Sequence, residues 1–215
     1  MKLFVWDFHG VLEKGNEKAT IEISNLALEK LGYIERFSFD DVEKLYGLKW
    51  YQYFQALLPH ESVERCMEIS DVCFDTGLNN LDIIGKHIRP NDYAHEVIDK
   101  IAEQHHQIVI SNTSPDSILM FLESVGMREK FSDDCAIAVD AHSPDQRKSK
   151  AEMLEAYLED EDFDDIVVIG DSPKDVALTS VAGGTSYLYT HPWRDFNECE
   201  SDYKIHDLRE VLREV

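Results

Sequence analysis

Apolar residues are grouped along this chain in two different ways. Short runs almost free of polar residues recur at Leu3-Phe4-Val5-Trp6, Ile108-Val109-Ile110, Ala136–Val139, Ile166-Val167-Val168-Ile169 and Ser186–Tyr189, the pattern of strands buried on both faces. Between these runs the spacing is helical. One helix is predicted from about Asp92 to Gln104, one is opened by Ser114-Pro115 in the N-cap and N1 positions, and one covers Lys150–Leu158. Ser172-Pro173 opens another, and His206–Arg213 closes the chain. Strand and helix in regular alternation predict an α/β fold, a doubly wound parallel sheet.

From Glu17 to about Ile84 only the helical period remains. Ile21, Leu26, Leu28 and Leu31 form one stripe that stops at Gly32, and Ser38-Phe39-Asp40-Asp41 is a capping box. Trp50–Leu58 stops at Pro59, and Ser62–Phe74 runs on to Gly77. This block predicts a helical insertion, residues 16–85, in a core made of residues 1–15 and 86–215.

Composition narrows what such a fold serves. The 215 residues include 43% hydrophobic ones, enough for one good core with an insertion. Asp and Glu number 43 against 21 Lys and Arg, a net charge of −22, which disfavours nucleic acid and anionic membrane as partners. The apolar runs are too short to cross a bilayer, and the first residues lack the long apolar stretch of a signal peptide, so a soluble, cytoplasmic protein is expected. Cys66, Cys73, Cys135 and Cys199 show no CxxC spacing and read as reduced thiols, the first two on one helix face in packing positions. Asn112-Thr113-Ser114 fits the glycosylation pattern only by chance under that expectation.

In an open parallel sheet, ligands bind beyond the carboxyl ends of the strands. The first run is followed there by Asp7, the second by Ser111-Asn112, the third by Asp140 and the fourth by Gly170-Asp171. Two carboxylates and a hydroxyl therefore converge, with Asp140 either a turn residue or a further member. An all-oxygen set of this kind suits Mg²⁺, which takes a few carboxylates plus water and phosphate oxygens.

The run Phe4-Val5-Trp6-Asp7-Phe8-His9-Gly10-Val11 resembles the first motif of the haloacid dehalogenase-like (HAD) superfamily, an apolar strand followed by DxDG and Thr or Val. Ile108-Val109-Ile110-Ser111-Asn112 resembles the second, Lys148 or Lys150 falls where the third-motif lysine is expected, and Gly170-Asp171-Ser172-Pro173-Lys174-Asp175 resembles the fourth. The set occurs in the family's order and spans most of the chain. The helical block resembles the family's cap, inserted after the first strand of a Rossmann-like core.

The resemblance implies a Mg²⁺-dependent phosphatase acting on a small phosphorylated metabolite. Asp7 would be the nucleophile, forming an aspartyl-phosphate. Mg²⁺ would be held by Asp7, the main-chain carbonyl of His9, and Asp171, with Asp175 orienting a metal-bound water. Ser111, Asn112 and a lysine would bind the phosphoryl group. Lys150 is preferred over Lys148 because it opens its helix as the family's lysine does. The family's phosphatases carry an acid/base Asp where this chain has His9, and an imidazole, titrating near neutrality, suits both halves of that task.

Other readings of the same residues stay open. Asp175 also fits the N3 position of a capping box headed by Ser172. Trp50, Tyr51, Tyr53 and Phe54 fit packing within the helical block as well as a substrate box, and His105-His106 reads as a helix end. His87 and Arg89, at the return from the helical block, read as surface residues before ligand contacts, and His191 and Trp193-Arg194 follow the last strand, where they could line the mouth of a site without being assigned to it. The family also contains phosphoryl transferases and mutases, and loss of the second Asp admits a non-catalytic binding or regulatory protein. A nucleotide loop is absent: there is no GxxxxGK[ST], and Gly183-Gly184 lacks the GxGxxG context.

Overall fold

The computed structural model describes residues 1–139, 148–159, 161–194, 196 and 198–215. The chain forms two compact units, one of Met1–Lys14 with Pro90–Val215 and one of Gly15–Arg89.

In chain order, the first unit opens with β1 (Lys2–Trp6) and β2 (Glu13–Lys14). The helical unit follows with α1 (Asn16–Lys30), α2 (Phe39–Leu45), α3 (Trp50–Leu57), α4 (Val63–Leu78) and α5 (Leu81–His87). Past β3 (Arg89–Pro90) come α6 (Ala94–Ala102), β4 (His106–Ser111), α7 (Pro115–Ser124), β5 (Ala136–Ala138), α8 (Lys150–Leu158) and β6 (Asp165–Gly170). The chain ends with α9 (Pro173–Val176), α10 (Thr179–Ala182), β7 (Thr185–Tyr189), β8 (Tyr203–Ile205) and a 3₁₀ turn at Leu208–Glu214.

Six strands form one sheet in the order β5-β4-β1-β6-β7-β8, every neighbouring pair parallel. This is the doubly wound α/β architecture that the alternation of elements predicts. β1 lies between β4 and β6, so the chain winds outward from it in both directions and the strand order reverses there. Leu3, Phe4, Trp6, Ile108, Val109, Val167 and Ile169 have no exposed surface, which is why these strands read as continuous apolar runs. Some details differ from the sequence reading. His106 opens β4 rather than ending a helix, α6 having stopped at Ala102, and its ring stacks on Tyr157 and Phe163. An edge strand at Tyr203–Ile205 adds a sixth member.

The helical unit has its own core. Ala27, Leu28, Val42, Phe54, Leu58, Cys66, Ile69 and Cys73 are fully buried, with Phe37 packed edge-on against Tyr53 and Phe54. The capping box predicted at Ser38 forms. Ser38 and Asp41 exchange the two hydrogen bonds of a capping box, and Ser62 Oγ accepts from the Arg65 amide. Among the described residues no helix is long and apolar enough to cross a membrane.

Candidate active site

Register sets the site. Trp6 pairs with Val109 on one side and Ile169 on the other, so Asp7 stands level with Ile110 and Gly170, with Ser111 and Asp171 one residue beyond. The Asp7 amide donates to Ile169 O at 2.8 Å, fixing the first residue past β1 to its neighbour. Asp140 lies outside the described residues.

Carboxylate oxygens of Asp7, Asp171 and Asp175 lie within 4.8 Å of one another. Two glycines permit that approach. A Cβ at Gly170 would meet the Asp175 Cβ at 2.0 Å, and one at Gly10 would meet Asp171 Oδ2 at 2.3 Å while straining a backbone with φ of +84°. The glycine before Asp171 thus makes room for the aspartate five residues on.

Lys150, the first residue of α8, crosses to the sheet edge and joins two of the three acids. Its Nζ donates to Asp7 Oδ1 at 2.7 Å and to Asp175 Oδ1 at 2.6 Å, with the side chains of Lys150 and Asp7 8% and 9% exposed. Lys148 is exposed. Burial works against the Lys150 charge, but Asp175 and Asp7 outweigh it and hold the ammonium above its ordinary range. Burial, followed by the Asp175 and Asp171 charges, pushes the Asp7 carboxyl from its ordinary 3.8 up to about 7, against the opposing pull of Lys150.

The capping-box reading of Asp175 is corrected by its side-chain contacts. Ser172 is the N-cap of α9, but its hydroxyl accepts no helix amide; it donates to Asp175 Oδ2, while Asp175 Oδ1 takes Lys150. The carboxylate is thereby turned inward, and it is 5% exposed.

Asp171 has separate partners. His191 Nε2 lies 3.0 Å from its Oδ2, and Arg194 Nη1 donates to the same oxygen at 3.1 Å. Both come from the segment after β7, where Trp193 stacks on His191. Ser111 Oγ, at the end of β4, is buried and has no hydrogen-bond partner among the described residues. Asn112, next along, is exposed.

His9 sits two residues past Asp7 on a tight turn in which the amides of Val11, Leu12 and Glu13 all point at Phe8 O. Its ring is held edge-on by Phe8 and Phe121, and its Nδ1 lies 3.0 Å from Glu13 Oε1. Glu13 was not among the residues singled out from sequence. The available signal was a charge directly after the apolar pair Val11-Leu12, inside a segment that is otherwise buried.

An oxygen-only trio of clustered carboxylates fits a hard divalent cation, and Ser111 beside it fits a ligand oxygen; no soft ligand takes part in the trio.

The fold matches solved structures over nearly its full length. A haloacid dehalogenase-like family hydrolase of Streptococcus pneumoniae superposes with TM-score 0.76 at 14% identity, covering 99% of this chain and 97% of its own. A "predicted phosphatase" of Clostridium acetobutylicum gives 0.78 at 15% identity, with the same coverage of the two chains. A "predicted phosphoglycolate phosphatase" of Haemophilus somnus gives 0.76 at 16%, again covering 99% and 97%. At these identities the likeness establishes the fold. No curated protein matches the chain significantly in sequence. The sequence profile of the haloacid dehalogenase-like hydrolases matches residues 1–183, and the chain belongs to that family.

Proposed function

We propose that this hydrolase is a Mg²⁺-dependent phosphatase that cleaves a small phosphorylated metabolite through an aspartyl-phosphate on Asp7. The observation that carries the reading is the trio Asp7, Asp171 and Asp175 drawn together at the sheet edge, with Lys150 spanning two of them. The phosphatase names borne by proteins of the same fold agree with it.

Asp7, Asp171 and the main-chain carbonyl of His9 are the proposed cation ligands, with Asp175 serving through a bound water. The cation, when present, neutralises charge on the phosphoryl oxygens. The chain's own groups do the rest. A carboxylate oxygen of Asp7 bonds to phosphorus as the bond to the leaving oxygen breaks, and that oxygen takes a proton from His9 Nε2. The neutral imidazole then takes a proton from water, whose oxygen bonds to phosphorus as the Asp7–phosphorus bond breaks, returning Asp7 as carboxylate. Lys150 and the Ser111 hydroxyl hold the equatorial oxygens, so stabilisation is electrostatic and positional. Asn112, exposed beside Ser111, completes the phosphate-binding set.

Phosphate release is to be measured over a panel of alkyl phosphate monoesters and para-nitrophenyl phosphate, with and without Mg²⁺. Release requiring both Mg²⁺ and Asp7 is the expected result; no release across the panel would overturn the reading. His9→Ala separates the two halves. Nitrophenolate leaves without an acid, so with that substrate the variant should give a burst of about one equivalent and then stall, its phosphoenzyme persisting. A variant that turns over steadily, without burst, would remove His9 from the mechanism.

A further inference from the structure

Glu13 is the most deeply enclosed acid near the sheet edge, with no exposed surface. Its Oε1 accepts the Gly10 amide at 3.2 Å and faces His9 Nδ1 at 3.0 Å, while its Oε2 is buried and has no partner among the described residues. Stapling the turn does not require this. The turn already closes through three amides on Phe8 O, and Asn91 pins it from outside, its Nδ2 donating to Val11 O and its amide to Leu12 O. A neutral acceptor would satisfy Gly10, whereas a carboxylate with one oxygen unpaired is costly to bury. That cost needs another return, and the other group in reach is the imidazole.

An ionised carboxylate oxygen only accepts, so with Glu13 as carboxylate Nδ1 is the donor across the 3.0 Å contact. Its hydrogen is then fixed on Nδ1, and Nε2, which has no hydrogen-bond partner among the described residues, is the nitrogen free to exchange a proton. Phe8 at 5.1 Å and Phe121 at 4.9 Å, both edge-on, flank the ring, and a half-turn about its bond to Cβ would replace Nδ1 by a carbon and break the Glu13 contact. Orientation and tautomer are therefore set by the same contact, as when a carboxylate holds an imidazole ligand or base in place.

We propose that Glu13 is a positioning residue that acts through His9, holding the imidazole as its Nδ1–H tautomer with Nε2 presented for proton transfer. The proposal rests on the acid/base reading of His9 for its effect on turnover, though not for the tautomer itself.

Two measurements test it. In the intact, unsubstituted chain, ¹⁵N shifts of the His9 ring, taken at a pH where the imidazole is neutral, should report the Nδ1–H form; an Nε2–H form or an even mixture would overturn the proposal. In turnover of para-nitrophenyl phosphate with Mg²⁺, Glu13→Met, which keeps the length and removes the acceptor, should lower kcat about 10- to 100-fold with little change in KM. Glu13→Gln, which restores an acceptor at Oε1, should recover both the kcat and the Nδ1–H signature. In a His9→Ala background Glu13→Met should cost nothing further. An equal loss with His9 absent, or no recovery by Gln, would overturn the proposal and leave Glu13 a part of the turn. Steady turnover by His9→Ala without a burst would instead sink the acid/base reading, with the ring shifts still deciding the tautomer.

Discussion

The helical unit and the carboxyl edge of the sheet treat buried polar groups in opposite ways. In the helical unit, buried hydroxyls have partners: Ser24 Oγ takes the Trp50 indole at 2.8 Å, Ser70 Oγ donates to Cys66 O at 3.1 Å, and Thr76 Oγ1 takes Lys30 at 3.2 Å. At the sheet edge, three carboxylates lie close together with one lysine shared by two of them, and the two buried atoms left without a partner among the described residues, Ser111 Oγ and Glu13 Oε2, both lie there. Packing alone explains the first region. The second is arranged against its own stability, which is the signature of groups held ready for a ligand.

The largest effect expected from breaking this contrast is at Asp7. Asp7→Asn should lower phosphate release by roughly 10⁴- to 10⁶-fold, the scale on which removal of a nucleophilic unit acts. The same substitution should raise the melting temperature of the cation-free protein at neutral pH, because it deletes a charge that burial and the Asp175 and Asp171 carboxylates oppose. A nucleophile variant less stable than the parent without Mg²⁺ would mean that Lys150 more than offsets the crowding.

The sign of the accompanying pH dependence follows from the direction of the shift. An acid raised from 3.8 to about 7 keeps its proton in the folded chain after the unfolded chain has lost it. The contribution of Asp7 to stability is therefore greatest below pH 4 and declines as the pH rises to about 7. Subtracting the Asp7→Asn denaturation curve from that of the parent, without Mg²⁺, isolates this slope. A parent that gained stability relative to the variant over that window would contradict it.

In the helical unit the effect should fall on stability alone. Phe54 is fully buried between Phe37 and its neighbours, and Phe54→Ala should cost about 3–5 kcal/mol in urea or thermal unfolding. What remains folded should still form the phosphoenzyme on Asp7.

The two regions were also unequally legible before the structure. Strands buried on both faces leave uninterrupted apolar runs, so Asp7, Ser111 and Asp171 stand out as the first polar residues after each. Lys150 is recognisable because it opens α8, and Ser38 because a capping box uses neighbours three residues apart. The edge strand Tyr203–Ile205 has two exposed residues of three and so no run to detect. Glu13 escapes the sequence reading, and His191 and Arg194 are legible only as residues after the last strand, because their contacts form when a turn or a loop folds back and no period in the chain encodes those. Asp175 shows both sides of this: its spacing allowed a helix cap or a site ligand, and only the side-chain direction, toward Lys150 and Ser172, separates the two.

The smallest change in the fold, with a distinct change in function, is expected at Ser111. Its hydroxyl is fully enclosed and makes no hydrogen bond among the described residues, so Ser111→Ala removes no bond made among them. Unfolding free energy should stay within about 0.5 kcal/mol of the parent or rise slightly, since an unsatisfied polar atom is deleted. If the hydroxyl donates to a charged phosphoryl oxygen, a bond of roughly 1.5–3 kcal/mol, kcat/KM should fall about 10- to 100-fold. Ser70→Ala in the helical unit is the matched control: it loses a made bond to Cys66 O, and should reduce stability by about 1 kcal/mol with kcat/KM unchanged. Equal stability losses at the two serines would mean that Ser111 has a structural partner after all, and the contrast between the two regions would then narrow to the carboxylates.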